Sequence, residues 1–106
     1  MSANEPVNPP GREEIIATGH PVDGIYKRAQ KLAQMWFVHN CGSHRICEMD
    51  NLVNMLSPSG DCSVWIERGA KGVEVSSNLY GVVRRAEILP GDDVDSAIGE
   101  ILPPSE

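Results

Sequence analysis

Two histidines and two of the three cysteines of this chain lie within one short stretch, "HNCGSHRIC", at residues 39–47. Thiolate and imidazole groups are preferred ligands of zinc, which binds four of them in a tetrahedron. If a helix begins at Ser43, the side chains of His44 and Cys47 lie one turn apart on its polar side. The candidate metal ligands are Cys41, His44, Cys47 and Cys62. The other interpretation is a turn between two helices with the thiols packed as small apolar groups. Because the spacing matches no two-knuckle zinc pattern, we predict no cofactor and keep zinc as the alternative.

The same stretch holds the residue types of a cysteine nucleophile and its base. His44 could deprotonate Cys41 or Cys47, and a helix N-terminus near Cys41 would lower the pKa of its thiol. The local sequences that mark known cysteine enzymes are missing, as are the glycine-rich loops that bind nucleotide phosphates. We therefore predict a protein without enzymatic activity, with a cysteine-dependent enzyme or a redox sensor as a further alternative.

Composition and charge narrow the class of partner. The chain has 106 residues, 41% of them hydrophobic and 23% charged, which is typical of one globular domain. Fifteen acidic against nine basic residues give a net charge of −6. Since nucleic-acid affinity depends on Lys and Arg that neutralise phosphates, this balance disfavours direct nucleic-acid binding and favours a partner protein with a basic surface.

No apolar run approaches the roughly 20 residues of a membrane span, and no secretion signal begins the chain. The odd cysteine count indicates reduced thiols rather than a disulfide framework. We therefore expect a cytoplasmic protein that binds no membrane.

Helical periodicity dominates the first half of the chain. Residues 1–12 are rich in proline and small polar residues and are predicted to be a flexible leader. An apolar stripe predicts a first helix between Asp23, its candidate N-cap, and Gly42, its candidate C′ residue. A second helix is predicted from about Ser43 to Leu56, because "SPSG" at residues 57–60 then breaks the chain.

After residue 60 the apolar residues alternate, which is typical of strands. "DCSVWIERG", "VEVSS" and "LYGVVRRAEIL" predict three strands joined by short turns, an antiparallel meander. "PGDDVDSAIGEIL" predicts a short C-terminal helix capped by Asp92 or Asp93. The predicted fold is one α+β domain over residues 13–103, with two N-terminal helices, a three-stranded antiparallel meander and a short C-terminal helix, followed by a tail at 104–106. Its two open sheet edges predict a homodimer formed at a sheet edge or at a helix face.

The scarce aromatic residues and the acidic C-terminal helix indicate how the protein binds. If Cys62, Val64 and Ile66 face the core, the side chain between them, Trp65, stands on the outer face of the sheet. Trp and Tyr are frequent anchors of protein interfaces, and carboxylates match a basic partner surface. The candidate partner-binding residues are Trp65, Tyr80, Asp92, Asp93 and Asp95. We predict a small acidic protein-binding module.

In size, acidity and lack of catalytic motifs, the chain is similar in general character to phage-encoded or accessory inhibitors of nucleic-acid-handling enzymes, such as anti-CRISPR proteins. The similarity lies in these general properties rather than in a motif. It implies an inhibitor that occupies its target through steric and electrostatic contact.

Overall fold

A computed structural model describes residues 21–103 of the chain. The elements in this range are α1 (Pro21–Cys41), β1 (Arg45–Met49), β2 (Leu52–Leu56), β3 (Cys62–Arg68), β4 (Val73–Leu79), β5 (Val82–Ile88) and α2 (Val94–Ile101). The strands form one five-stranded antiparallel sheet in the order β1-β2-β3-β4-β5. The predicted α+β class and antiparallel meander are confirmed. The predicted leader at 1–12, residues 13–20 and the predicted tail at 104–106 lie outside the described residues.

Helix α1 turns a stripe of buried side chains toward the sheet. The stripe consists of Val22, Ile25, Ala29, Ala33 and Phe37. The helix ends where the sequence predicts, because Gly42 adopts φ +80° and its N–H donates to the carbonyl of Val38 at 3.2 Å. It begins at Pro21, whose fixed φ suits the first helical position, so Asp23 lies in the first turn rather than at the N-cap.

The prediction of a second helix at residues 43–56 is wrong. This segment forms the β1–β2 hairpin, which turns at Asp50 and Asn51. Val53 and Met55 are buried and pair with buried residues of β3. The apolar residues of the segment fit both a helical stripe and two short strands, and pairing with β3 decides between them. The sheet therefore has five strands instead of the predicted three, and one predicted helix is replaced.

The core lies between one face of the sheet and a layer made by the two helices. Its largest fully buried side chains include Phe37, Met55, Ile66, Ile88 and Ile101. Helix α2 is confirmed, and Asp93 caps it by accepting the N–H of Ser96 at 3.2 Å. The other face of the sheet carries no helix within residues 21–103. None of the helices in this range is both long enough and apolar enough to span a bilayer.

Candidate functional site

The uncovered face of the sheet, here called the open face, carries the side chains that alternate away from the core. The strand register aligns them in three rows across the sheet. The first row is Met49, Leu52, Glu67, Glu74 and Glu87; the second is Cys47, Asn54, Trp65, Ser76 and Arg85; the third is Arg45, Leu56, Ser63, Asn78 and Val83. Neighbours in a row are roughly 5 Å apart, so each row is a continuous strip of side chains.

Trp65 occupies the centre of the open face. It is 45% exposed, whereas Val64 and Ile66 on either side of it in β3 are fully buried, so the predicted alternation is confirmed. Its cross-strand neighbours, Asn54 and Ser76, are smaller than the indole. The Asn54 side-chain amide donates to the carbonyl of Val64 at 3.1 Å. Beside the indole lies a shallow depression of about 360 Å³, lined by Leu52, Trp65, Glu67, Glu74, Ser76 and Arg85.

The first row places three carboxylates directly opposite one another on adjacent strands. Glu74 faces Glu67 on one side and Glu87 on the other. Like charges in directly opposed positions of a sheet are unfavourable, and no ion pair joins these glutamates to another residue within 21–103. Lys71 lines a neighbouring depression together with all three glutamates. The row makes one end of the open face acidic.

Arg68 connects the elements that meet at the end of the open face where the glutamates lie. Its guanidinium forms an ion pair with Asp23 on α1 and donates to Oδ1 of Asn51 in the β1–β2 turn at 2.8 Å. It also lies over the ring of Tyr26, 5.4 Å from the centroid. The backbone N–H of Arg68 donates to the carbonyl of Asn51 at 2.8 Å. One side chain therefore holds α1, the first hairpin and β3 together.

The three aspartates predicted to meet a partner each make contacts inside the protein. Asp92 accepts the N–H of Leu89 at 2.9 Å, and Asp93 caps α2. Asp95 accepts two hydrogen bonds from Arg28, at 3.1 and 2.8 Å, which join α1 to α2. The hydrogen bond from Arg28 lowers the pKa of Asp95, and the same contact raises the pKa of Arg28. Among residues 21–103, no hydrogen bond or ion pair gives the carboxylates of Glu67, Glu74 and Glu87 on the open face such an internal role.

Tyr80 lies in the β4–β5 turn and is not beside Trp65. It has φ +56° and is followed by Gly81 at φ +90°, as in a type I′ hairpin turn. Its ring is 72% exposed. A hydrogen bond with Cys62 raises the pKa of Tyr80, which places its hydroxyl near a thiol of the covered face. Tyr80 and Trp65 therefore belong to different surfaces.

The structure brings Cys41 and Cys62 together and separates them from Cys47. Cys62 is buried on the covered face, whereas Cys47 is exposed on the open face. Burial raises the pKa of the Cys41 thiol, and neighbouring Cys62 raises it further. A cysteine nucleophile needs a lowered pKa. The lowering expected at Cys41 depended on a second helix that the structure replaces with a strand.

His44 precedes β1 and packs against the core. Its ring lies 5.9 Å from that of Phe37, and its Nδ1 is buried without a hydrogen-bond partner within residues 21–103. It cannot share a helix face with Cys47, because Cys47 lies in a strand. In the part of the chain that the structure describes, no group of three or more His, Cys, Asp or Glu side chains is arranged to hold a metal ion. The zinc alternative stays a prediction.

Sequence reasoning missed the row of glutamates and a second surface, the groove between the helices. This groove of about 460 Å³ is lined mainly by apolar side chains of α1 and α2, among them Leu32, Trp36 and Ile98. The alternation of β3, β4 and β5 was a sufficient signal that Glu67, Glu74 and Glu87 face outward. Their alignment in one row additionally requires the strand register.

No family model, curated protein or solved structure matches this chain.

Proposed function

We propose that the protein is a protein-binding module that acts without catalysis, docks through the open face and uses Trp65 as its anchor. The observation that carries the proposal is the position of the indole. It is 45% exposed, beside a depression, at the centre of a sheet face that carries no helix within residues 21–103. Large aromatic side chains that fill a partner's pocket supply much of the free energy of protein association. Half-buried Leu52 and Leu56 on the neighbouring strand extend the apolar surface around it.

The charges of the open face favour a basic partner. The row Glu67, Glu74 and Glu87 supplies carboxylates without an ion pair within residues 21–103. Lys or Arg side chains of a partner would relieve their mutual repulsion on binding, which adds electrostatic attraction to the apolar contact of Trp65. These glutamates replace the aspartates of the C-terminal helix as the proposed acidic contact, because the aspartates have internal partners.

A basic partner surface of this kind is common on proteins that handle nucleic acid, since they neutralise phosphates with Lys and Arg. We therefore infer that the protein inhibits such a partner by covering its basic surface. The net charge of −6 opposes direct binding of nucleic acid by this chain. We propose that the protein acts in the cytoplasm, where its three thiols stay reduced.

The proposal is tested by isolating the partner and measuring its affinity. The partner is recovered from the native host on immobilised protein and purified, and its Kd is measured for wild type, Trp65→Ala and a control, Tyr80→Asn. We expect Trp65→Ala to weaken binding about tenfold or more, as for a hot-spot residue. Tyr80→Asn changes a more exposed aromatic on another surface and should leave Kd within about twofold.

The electrostatic part has its own measurement. Glu74→Lys should weaken binding and flatten the dependence of Kd on salt concentration, because the central carboxylate of the row is reversed. Equal affinities of wild type and Trp65→Ala would contradict the proposed anchor. A partner that binds as tightly to Glu74→Lys as to wild type would contradict the basic surface.

A further inference from the structure

Within residues 21–103 no strand pairs with the outer edge of β5, whose backbone groups can bond to a second strand. Tyr80 and Gly81 form a two-residue type I′ turn, which makes Leu79 and Val82 the hydrogen-bonded pair that closes the hairpin. Hydrogen-bonded and non-hydrogen-bonded pairs then alternate along β5. The residues that direct their N–H and C=O groups away from β4 are therefore Val83, Arg85 and Glu87.

Among the two-fold antiparallel pairings centred at residues 84–87 in β5, the charges of this edge select one. In a two-fold antiparallel pairing centred on Arg84, Arg85 or Glu87, the central side chain would face the same charged residue of the other copy. A pairing centred on Ala86 instead sets Arg85 opposite Glu87 of the second copy, and this contact occurs twice. The register also satisfies the backbone, because Arg85 and Glu87 are both outward-directed residues.

The apolar residues of the edge fit the same register. Val83 is 62% exposed and Leu89 is 42% exposed, and the pairing centred on Ala86 brings each near the other in the second copy. Because Leu89 follows β5 and its N–H donates to Asp92, this contact is made by the side chains alone. Only the methyl group of Ala86 lies at the axis, so no large side chain blocks the approach of the strands. Hydrophobic and opposite-charge cross-strand pairs both stabilise a sheet.

The row of glutamates supplies an independent observation. Glu87 ends the row in the monomer with one carboxylate neighbour, Glu74, and neither Glu87 nor Arg85 forms an ion pair with another residue in the described range 21–103. In the self-pairing centred on Ala86, the free side of Glu87 meets a guanidinium. The carboxylate at the end of the row, which has only a like-charged neighbour in the monomer, thus gains an opposite charge in the dimer.

We propose that two copies of this chain form a two-fold dimer through β5, with Arg85 of each copy opposite Glu87 of the other. The two sheets join into one ten-stranded sheet whose two open faces lie on the same side. The two Trp65 side chains are then five strand spacings apart, about 24 Å. This dimer does not depend on the proposed function. It uses Glu87 at the axis, leaves Glu67 and Glu74 to a basic partner, and presents two anchors.

The dimer is tested by charge exchange. The molar mass of wild type is measured by sedimentation equilibrium together with Arg85→Glu, Glu87→Arg and the double variant. Each single change places two like-charged pairs at the axis, so we expect it to raise the dimer dissociation constant about tenfold or more. The double variant restores two opposite-charge pairs and should restore the dimer. Arg45→Glu, a matched change of charge on the open face at the other sheet edge, should leave the dimer intact.

A second measurement locates the axis. In a Cys47→Ser background, Ala86→Cys should form an intermolecular disulfide when oxidised glutathione is added, each bond releasing two molecules of reduced glutathione. Residues facing each other in a non-hydrogen-bonded pair have Cα atoms about 4.5 Å apart, within the range of a disulfide. Val83→Cys, whose thiols would lie apart, is the control. A monomeric wild type at millimolar concentration, or a double variant that stays monomeric, would overturn the proposal.

Discussion

Replacing Arg68 by Met should destabilise the protein more than breaking the other ion pair described within residues 21–103, that of Arg28 with Asp95. Methionine keeps most of the aliphatic length of the side chain and removes the guanidinium. The change deletes the ion pair with Asp23, the hydrogen bond to Oδ1 of Asn51 and the contact over Tyr26. These three contacts connect α1 and the first hairpin to β3.

The magnitude follows from how exposed each contact is. The side chains of Arg68 and Asp23 are each 34% exposed, so their ion pair is worth about 1 kcal/mol, the upper end for surface pairs. The hydrogen bond to Asn51 and the cation–π contact each add about 0.5–1 kcal/mol. Because one group makes all three contacts, they are not additive, and we expect a total loss of about 2 kcal/mol. In a domain of this size that corresponds to a fall in Tm of about 10 °C.

Urea denaturation measures the loss, with the midpoint lowered and the m value unchanged. A second readout is the titration of Tyr26. Burial raises the pKa of Tyr26 while Arg68 opposes the rise, so this pKa should increase further in Arg68→Met. The matched control is Arg28→Met, which breaks the more exposed pair with Asp95 and should shift the midpoint less. A loss below about 0.5 kcal/mol, or one no larger than that of the control, would refute the reasoning.

Three further predictions concern the helix contact, two glycines and the thiols. Asp95→Asn should reduce stability above pH 3.8, the ordinary carboxyl pKa, but not at acid pH. The lowered pKa of Asp95 contributes stability to the folded protein, and this contribution is lost as the pH falls through that pKa. Urea midpoints measured against pH would show the difference. Gly72→Ala should destabilise the fold strongly, because a Cβ would lie 2.6 Å from a backbone carbonyl oxygen of β5. Gly99→Ala places its methyl group in open space in α2 and should stabilise the fold by about 0.5–1 kcal/mol. Thermal melts would measure both changes. Iodoacetamide should label exposed Cys47 in the folded protein and buried Cys62 only on unfolding, which peptide mass spectrometry would detect.

The parts of the fold that the sequence predicts are those with a single consistent period. Helix α1 carries a long apolar stripe and a glycine stop, and β3 alternates without interruption. The first hairpin was missed because its apolar residues fit two periods and no glycine or proline separates β1 from β2. Asp50 and Asn51 are good turn residues and were the local signal for the hairpin. Tertiary pairing with β3 decided the outcome.

The candidate site was predictable only where it depends on one strand. Alternation within β3 is enough to place Trp65 on the outer face. The row of Glu67, Glu74 and Glu87 depends on the register of three strands, which turn lengths and bulges set and which composition does not reveal. The cluster at residues 39–47 shows the reverse case, since neighbours in sequence are divided by the sheet. Cys47 faces outward, whereas His44 packs against the core.

The two edges of the sheet differ in how firmly they are held, and this difference assigns them different roles. Every residue of β1 is exposed, and its contact with α1 includes the hydrogen bond from the Gln30 amide to the Glu48 carboxylate at 3.0 Å. The β5 edge is packed under α2, with Ile88 fully buried. A rigid edge loses less conformational entropy on association than a loosely held one. The self-pairing contact therefore suits β5, and β1, whose residues are all exposed, is the part of the open face that can adjust to a partner.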